Sequence, residues 1–208
     1  MEKSMQSRFL YALSLSIFTG CSSTDKSEED SATLDSSTPP NIEVLMETSM
    51  GDFIIELDLE NAPITTENFL RYVDDGFFDG GDELGSTTFH RVVADFVIQG
   101  GGYTENGTEK TTYDAIENEA TISGLSNLRG TLAMARTNEP DSATSQFFVN
   151  LVDNTFLNPG ESTADGYAVF GVITSGMDVV DEIGGVNVDT NDQPITNITI
   201  NSVSRVLE

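Results

Sequence analysis

The chain has 208 residues and a formal net charge of −26, with 35 acidic and nine basic residues, and this length favours one domain, or one domain and a tail. Such an acidic chain repels nucleic-acid phosphates and anionic lipid headgroups, which argues against nucleic acid as a partner and leaves only hydrophobic or covalent contact with a membrane. One cysteine and one histidine exclude an intrachain disulfide, a cysteine-based zinc cluster and a histidine-rich metal site.

Residues 1–20 have the organisation of a secretion signal. Lys3 and Arg8 precede an apolar run over residues 9–18, which is shorter than the about 20 apolar residues of a transmembrane helix. The run ends in Phe18-Thr19-Gly20-Cys21, which resembles a bacterial lipobox and implies that Cys21 becomes a lipidated first residue. Ser22 at the next position suggests the outer membrane in that pattern. The alternative is a lone thiol in a tail.

Residues 21–41 continue from this cysteine as a different kind of sequence. Residues 22–41 contain five acidic residues and many serines and threonines, and they end near Pro39 and Pro40. Low hydrophobicity and high charge predict a disordered tether that holds a domain away from a membrane. An ordinary disordered N-terminus is the alternative.

Residues 42–208 are predicted to fold as one domain. Residues 42–48 form a predicted strand, and the alternation of Phe53, Ile55, Leu57 and Leu59 predicts a second strand with one buried face. Residues 49–52 would form the hairpin turn between the two strands.

A helix is predicted to follow, with Pro63 in its first turn and Gly76 at its end. Further strands are predicted at 96–99, 131–135, 147–150 and 167–173, with a second helix at 177–183. The closing alternation of Ile198 and Ile200 slips by one residue before Val203, as at a bulge. Many short strands with few helices indicate an antiparallel sandwich or barrel.

Three segments carry the functional signal: 88–102, which contains Phe89-His90-Arg91; 129–136; and 141–150, which contains Ser145-Gln146-Phe147-Phe148. Together with the shorter segments 62–69, 156–157 and 166–171, they resemble the cyclophilin family of peptidyl-prolyl cis/trans isomerases, and bacterial periplasmic-type members most closely. The resemblance implies a mainly β fold, a closed eight-stranded antiparallel barrel capped by two α-helices, with its groove on the outer surface. It also implies isomerisation of X–Pro bonds during the folding of extracytoplasmic proteins.

The same resemblance assigns roles to individual residues. It makes Arg91 the catalytic arginine, and it makes Phe96, Gln99 and Phe148 the other catalytic positions. It assigns substrate binding to Val97, Gly107, Ala135, Arg136, Gln146, Phe156, Leu157 and Tyr167. No covalent bond breaks in this reaction, so we expect no cofactor and no metal. A surface salt bridge is the alternative role for Arg91.

His90 has two candidate roles: a general acid/base, or a structural histidine hydrogen-bonded inside the barrel. The structural role is favoured because isomerisation needs no base. The acid-rich segment 79–85 fits no EF-hand spacing and is predicted to be a solvated loop. We expect a monomer that binds proline-containing polypeptides and contacts the membrane only through a lipid anchor. The competing functions are a proline-peptide binding or chaperone module without turnover, and an envelope lipoprotein whose barrel only scaffolds partners.

Overall fold

The computed structural model describes residues 42–206, and Cys21, the predicted signal and the predicted tether lie outside the described residues. The strands are β1 (Ile42–Thr48), β2 (Gly51–Leu57), β3 (Thr87–Val93), β4 (Val97–Thr104), β5 (Thr131–Met134), β6 (Phe147–Asn150), β7 (Val169–Ser175) and β8 (Ile200–Arg205). The helices are α1 (Pro63–Asp74), α2 (Ala120–Ser123) and α3 (Met177–Gly184), and Thr155–Leu157 forms one 3-10 turn.

The eight strands form one antiparallel sheet in the order β3-β4-β6-β5-β7-β2-β1-β8. The outermost strands of this order approach each other through a bridge between Thr88 and Thr199. The Phe89 amide also donates to the Ile198 carbonyl at 2.9 Å. The sheet is therefore a nearly closed barrel, which confirms the predicted fold and protects most of the strand edges.

Aromatic rings fill the barrel interior. The Phe69 ring lies 5.2, 5.5 and 5.3 Å from the rings of Phe78, Phe147 and Phe170, measured between centroids. All four side chains are at most 1% exposed. An interior packed in this way leaves the outer face of the barrel as the place for a ligand.

Two helices lie at opposite ends of the barrel. Strand β2 leads into α1 at Leu57, whereas the antiparallel strand β7 leads into α3 at Ser175, beside Ile54 near the start of β2. Helix α2 has four residues and was not predicted, because so short a segment shows no helical periodicity. Two capping helices were predicted, and the described residues contain three helices.

Several predicted boundaries shift. Strand β2 ends at Leu57 and not at Leu59, and β7 begins at Val169 and not at Tyr167. Strand β3 was not predicted by alternation, because its buried residues do not alternate. The predicted bulge is confirmed: Glu47 pairs with Ser202 and Thr48 with Ile200, which leaves one extra residue in β8.

The loop between α1 and β3 closes around a buried lysine. The Lys110 ammonium donates to the Asp82 carboxylate at 2.8 Å, to the Gly85 carbonyl at 2.9 Å and to the Phe77 carbonyl. The lysine side chain is 1% exposed. The prediction of a merely solvated loop was therefore incomplete, since a cation from this chain fills the centre of the acid-rich segment.

Lys110→Met should lower the free energy of unfolding by about 3 kcal/mol, because it leaves a carboxylate and two carbonyls without their cation. Denaturant titration of the two proteins measures this difference. Arg205→Gln is the matched control: Arg205 pairs with Asp74 on the surface, with 38% of the arginine side chain exposed. Its loss should cost under about 1 kcal/mol. Equal losses for the two variants would contradict a special role for the buried ammonium.

Candidate active site

A row of three side chains crosses the outer face of neighbouring strands. In the strand register, Arg91 of β3 lies opposite Gln99 of β4, and Gln99 lies opposite Phe148 of β6. Residues opposite each other on neighbouring strands point to the same face of the sheet. The ladder therefore brings together an arginine, an amide and an aromatic ring from three strands.

A bulge in β3 places Arg91 on this outer face. Phe89 pairs with Gly100 and Arg91 pairs with Gln99, so His90 is an extra residue without its own partner. Phe89 and Val92 are each 1% exposed and point into the barrel, whereas both residues between them face outward. Without the extra residue, strict alternation could not keep both flanking residues in the core and Arg91 in the groove.

A small apolar cluster lies outside the barrel, separate from the main core. Its buried members are Val97, Ala133, Phe148, Leu157 and Val169. This cluster borders a cavity of about 220 Å³. The residues that line the cavity are Arg91, Phe96, Val97, Gln99, Ala135, Arg136, Phe148, Leu157 and Tyr167. Nine of the predicted site residues therefore share one cavity.

The other three predicted site residues lie beside it. Gly107 and Gln146 line a neighbouring cavity of about 420 Å³, which shares Gln99 with the first. Gln99 Nε2 donates to Gln146 Oε1 at 3.0 Å, at the boundary between the two cavities. Phe156 is 47% exposed and does not line the smaller cavity, but its ring stacks on Phe96 at 5.7 Å. Phe156 therefore supports a wall from outside.

Each of the three guanidinium nitrogens of Arg136 already donates a hydrogen bond within the protein. Its Nε donates to the Gly166 carbonyl at 2.9 Å, and one terminal nitrogen donates to the Thr137 carbonyl at 2.9 Å. Its guanidinium carbon lies 4.6 Å from the centroid of the Tyr167 ring. The Tyr167 ring meets Phe148 edge to face at 5.7 Å. Arg136 thus fixes one wall of the cavity.

Arg91 has a charged neighbour that the sequence motifs did not indicate. Its Nε lies 3.6 Å from the Asp192 carboxylate, with 39% and 46% of the two side chains exposed. The Asp192 carbonyl accepts the Val92 amide at 2.8 Å, which ties this loop to β3. Asp192 follows its partner by about a hundred residues in a loop without a motif, so no sequence signal joined them. Arg91 has both the ion pair and the cavity position that were weighed as alternatives.

The Cyclophilin type peptidyl-prolyl cis-trans isomerase/CLD family model matches residues 43–205. The chain belongs to the cyclophilin family. A peptidyl-prolyl cis-trans isomerase of Acinetobacter baylyi is 53% identical over 150 residues, which cover 72% of this chain and 76% of that one. Peptidyl-prolyl cis-trans isomerase B of Escherichia coli is 47% identical over 167 residues, covering 77% and 98%.

Solved cyclophilins have the same fold. The crystal structure of a Cryptosporidium parvum cyclophilin type peptidyl-prolyl cis-trans isomerase matches with a TM-score of 0.63 and 26% identity, covering 81% of this chain and 99% of that one. A second structure of that protein, in the presence of the dipeptide Ala-Pro, matches with a TM-score of 0.62. The resemblance first found in sequence motifs is therefore confirmed, and this chain is a peptidyl-prolyl cis-trans isomerase by family.

His90 of this cyclophilin lies in a different place from the one predicted. The predicted location inside the barrel was wrong, because the bulge turns the side chain outward to line the larger cavity. Its Nδ1 is buried without a hydrogen-bond partner among the described residues. Burial lowers the pKa of His90 to about 4; a hydrogen bond with the Thr88 main chain partly opposes this, and the adjacent Arg91 makes a smaller lowering contribution. The imidazole is therefore neutral at pH 7.

The lowered pKa of His90 predicts a loss of stability in acid. Between an ordinary pKa of about 6.5 and the folded value, the unfolded chain binds more protons at this site than the folded protein. The stabilisation is therefore complete above pH about 6.5 and is lost as the pH falls toward 4, by about 3 kcal/mol in total. Unfolding free energies of wild type and His90→Gln, measured from pH 7 to pH 4, isolate this effect from the carboxylates. Parallel curves would contradict it.

Proposed function

We propose that this cyclophilin accelerates X–Pro isomerisation during the folding of extracytoplasmic proteins, and that Arg91 and the 220 Å³ cavity perform the catalysis. The observation that carries the proposal is the position of one guanidinium at the rim of an apolar pocket. Phe96, Phe148 and Leu157 supply apolar walls for a proline ring. The Ala-Pro dipeptide used with the Cryptosporidium parvum relative supports a proline-containing ligand here.

Isomerisation of an X–Pro bond needs only a hydrogen-bond donor and an apolar pocket for the ring. Rotation about the peptide C–N bond has a barrier of about 18–20 kcal/mol, because the twisted bond loses its partial double-bond character. A catalyst must bind the twisted bond more tightly than either planar form. In the twisted form the proline nitrogen regains its lone pair and the carbonyl loses conjugation. A donor held at one place can then stabilise the changed atoms.

Arg91 is suited to be that donor. Its planar guanidinium presents several N–H groups in a rigid arrangement. Asp192 forms its ion pair on the Nε side, which would leave the terminal nitrogens directed toward the substrate. Gln99, held by Gln146, would bind the peptide backbone beside it. Gly107 and Ala135 would line the path of the chain on either side.

Arg91→Ala should reduce kcat/KM by about 100-fold, because it removes the guanidinium proposed to donate to the twisted bond. A refolding assay limited by a proline isomerisation measures this, with a short X–Pro peptide as a second substrate. Arg205→Ala is the control, since Arg205 also pairs with an aspartate but lies away from the cavity. Equal rates for wild type and Arg91→Ala, both at the uncatalysed level, would instead favour the binding or chaperone module.

The cellular location is a separate proposal that rests on the lipobox around Cys21. We propose that the mature chain is an outer-membrane lipoprotein that acts on the periplasmic side, with the acidic segment as its tether. Among the described residues, no helix is long and apolar enough to cross a membrane. Two or three acyl chains on Cys21 would anchor the chain stably where a single chain would not.

Cys21→Ala should move the protein from the membrane fraction to the soluble fraction, because the variant has no thiol to carry lipid. Cell fractionation with immunoblotting measures the distribution, and Ser22→Ala, next to the cysteine, is the matched control. Wild type already in the soluble fraction would overturn the lipoprotein assignment and leave the isomerase assignment intact.

A further inference from the structure

Four asparagines form a hydrogen-bonded network behind the proline pocket. Asn127 and Asn150 are fully buried, and Asn154 is 2% exposed. Asn154 Nδ2 donates to Asn150 Oδ1 at 2.8 Å, and Asn150 Nδ2 donates to Asn127 Oδ1 at 3.2 Å. Asn127 in turn donates its main-chain N–H to Asn158 Oδ1 at 2.8 Å and its Nδ2 to the same oxygen at 3.1 Å. The described residues thus hold one continuous chain of side-chain amides.

The side chains of the network are bonded to the main chain of two pocket residues, and the Asn154 main chain is bonded to a third. Asn154 Nδ2 donates to the Phe96 carbonyl at 2.9 Å. Asn127 Nδ2 donates to the Tyr167 carbonyl at 3.2 Å. The Leu157 amide donates to the Asn154 carbonyl at 2.8 Å. Each of these three residues lines the 220 Å³ cavity.

These three residues share a further property: none lies in a strand. Phe96 is in the turn between β3 and β4, Leu157 is in the 3-10 turn, and Tyr167 lies in the loop before β7. The sheet ladder holds Gln99 and Phe148, and of these three loop residues it reaches only Phe96, whose carbonyl also accepts the Leu151 amide at 2.9 Å. A buried amide is costly unless its donors and acceptor are satisfied, so loops bonded to such a network have few alternative positions.

We propose that Asn127, Asn150 and Asn154 are positioning residues that set the width of the proline pocket, and so its selectivity for a five-membered ring. The proposal rests on the proposed function, since it concerns the same pocket. The mechanism is indirect: the network holds the carbonyls of Phe96 and Tyr167, and their rings then form two walls of the pocket. None of the three asparagines lines the cavity.

The test compares two substrates that differ by one methylene. Peptides with the same flanking residues carry either proline or pipecolic acid, its six-membered homologue, and kcat/KM is measured for both. One methylene in a well-formed apolar pocket changes kcat/KM by about 10–200-fold, so wild type should prefer proline clearly. In full-length Asn154→Ala the ratio of the two values should fall by about tenfold, because the Phe96 carbonyl keeps the Leu151 amide but loses the side-chain donor of Asn154.

The ratio separates positioning from stability. A variant that is only partly folded loses activity toward both peptides equally, so its ratio does not change. Thr66→Val is the matched control: the Thr66 hydroxyl donates to the Asp58 carbonyl at 3.0 Å, and its residue is fully buried in α1, away from the pocket. Its ratio should equal that of wild type. Should Asn154→Ala fail to fold, Asn154→Thr keeps a shorter donor and should give a smaller fall in the same direction.

A double-mutant cycle with Phe96→Ala gives the second readout. If Asn154 acts through Phe96, then Asn154→Ala should change the ratio by less than about twofold once the Phe96 ring is absent. An unchanged ratio in Asn154→Ala, or an equal fall in both backgrounds, would overturn the proposal.

The proposed function can fail independently of this inference. If the wild type binds proline peptides but does not catalyse isomerisation, the proposed catalytic function is overturned. The ratio of the affinities for the proline and pipecolic acid peptides would then replace the ratio of kcat/KM values as the test of pocket width. The carbon-13 signal of the Phe96 carbonyl, which should shift in Asn154→Ala and not in Thr66→Val, tests the anchor without any substrate. No shift would overturn the proposal.

Discussion

Closure of the sheet around an aromatic interior is the constraint on which the rest of this cyclophilin depends. Once Phe69, Phe78, Phe147 and Phe170 fill the barrel, no space for a peptide remains among them. Substrate can then meet the protein only on the outer face, where strand residues normally face water. Strict alternation would turn Arg91 into the core if Phe89 also pointed there. The extra residue at His90 directs Arg91 outward while Phe89 and Val92 stay in the core.

The site combines two ways of holding a side chain. Arg91, Gln99 and Phe148 stand on neighbouring strands, where ladder hydrogen bonds leave little freedom. The remaining apolar walls come from loops, and loops are mobile unless something ties their main chain. In this protein buried asparagine amides make those ties. Precision in the pocket therefore depends on polar groups that a substrate never touches.

The few basic residues of the domain pair with acidic neighbours. Residues 42–208 contain 29 acidic and six basic residues, a net charge of −23, so each cation stands among many carboxylates. Four cations of the described residues pair with an aspartate: Arg91 with Asp192, Lys110 with Asp82, Arg129 with Asp181 and Arg205 with Asp74. Lys110 is buried and structural, whereas Arg91 stays partly exposed at the cavity rim. A cation–aspartate pair thus stabilises the loop between α1 and β3 at Lys110 and lies at the rim of the cavity at Arg91.

The sequence by itself determined the family, most strands, both longer helices and the nine residues that share the smaller cavity, because alternation and contiguous motifs are local signals. It did not reveal the bulge at His90, the ion pair of Arg91 with Asp192, or the ammonium of Lys110 inside an acidic loop. Nor did it reveal Glu119, a buried carboxylate that accepts the Thr65 amide at 2.7 Å at the start of α1. Only the tertiary structure decided these four features, because each joins groups far apart in the chain or depends on strand register. Long-range contacts and strand register leave no local pattern in the sequence.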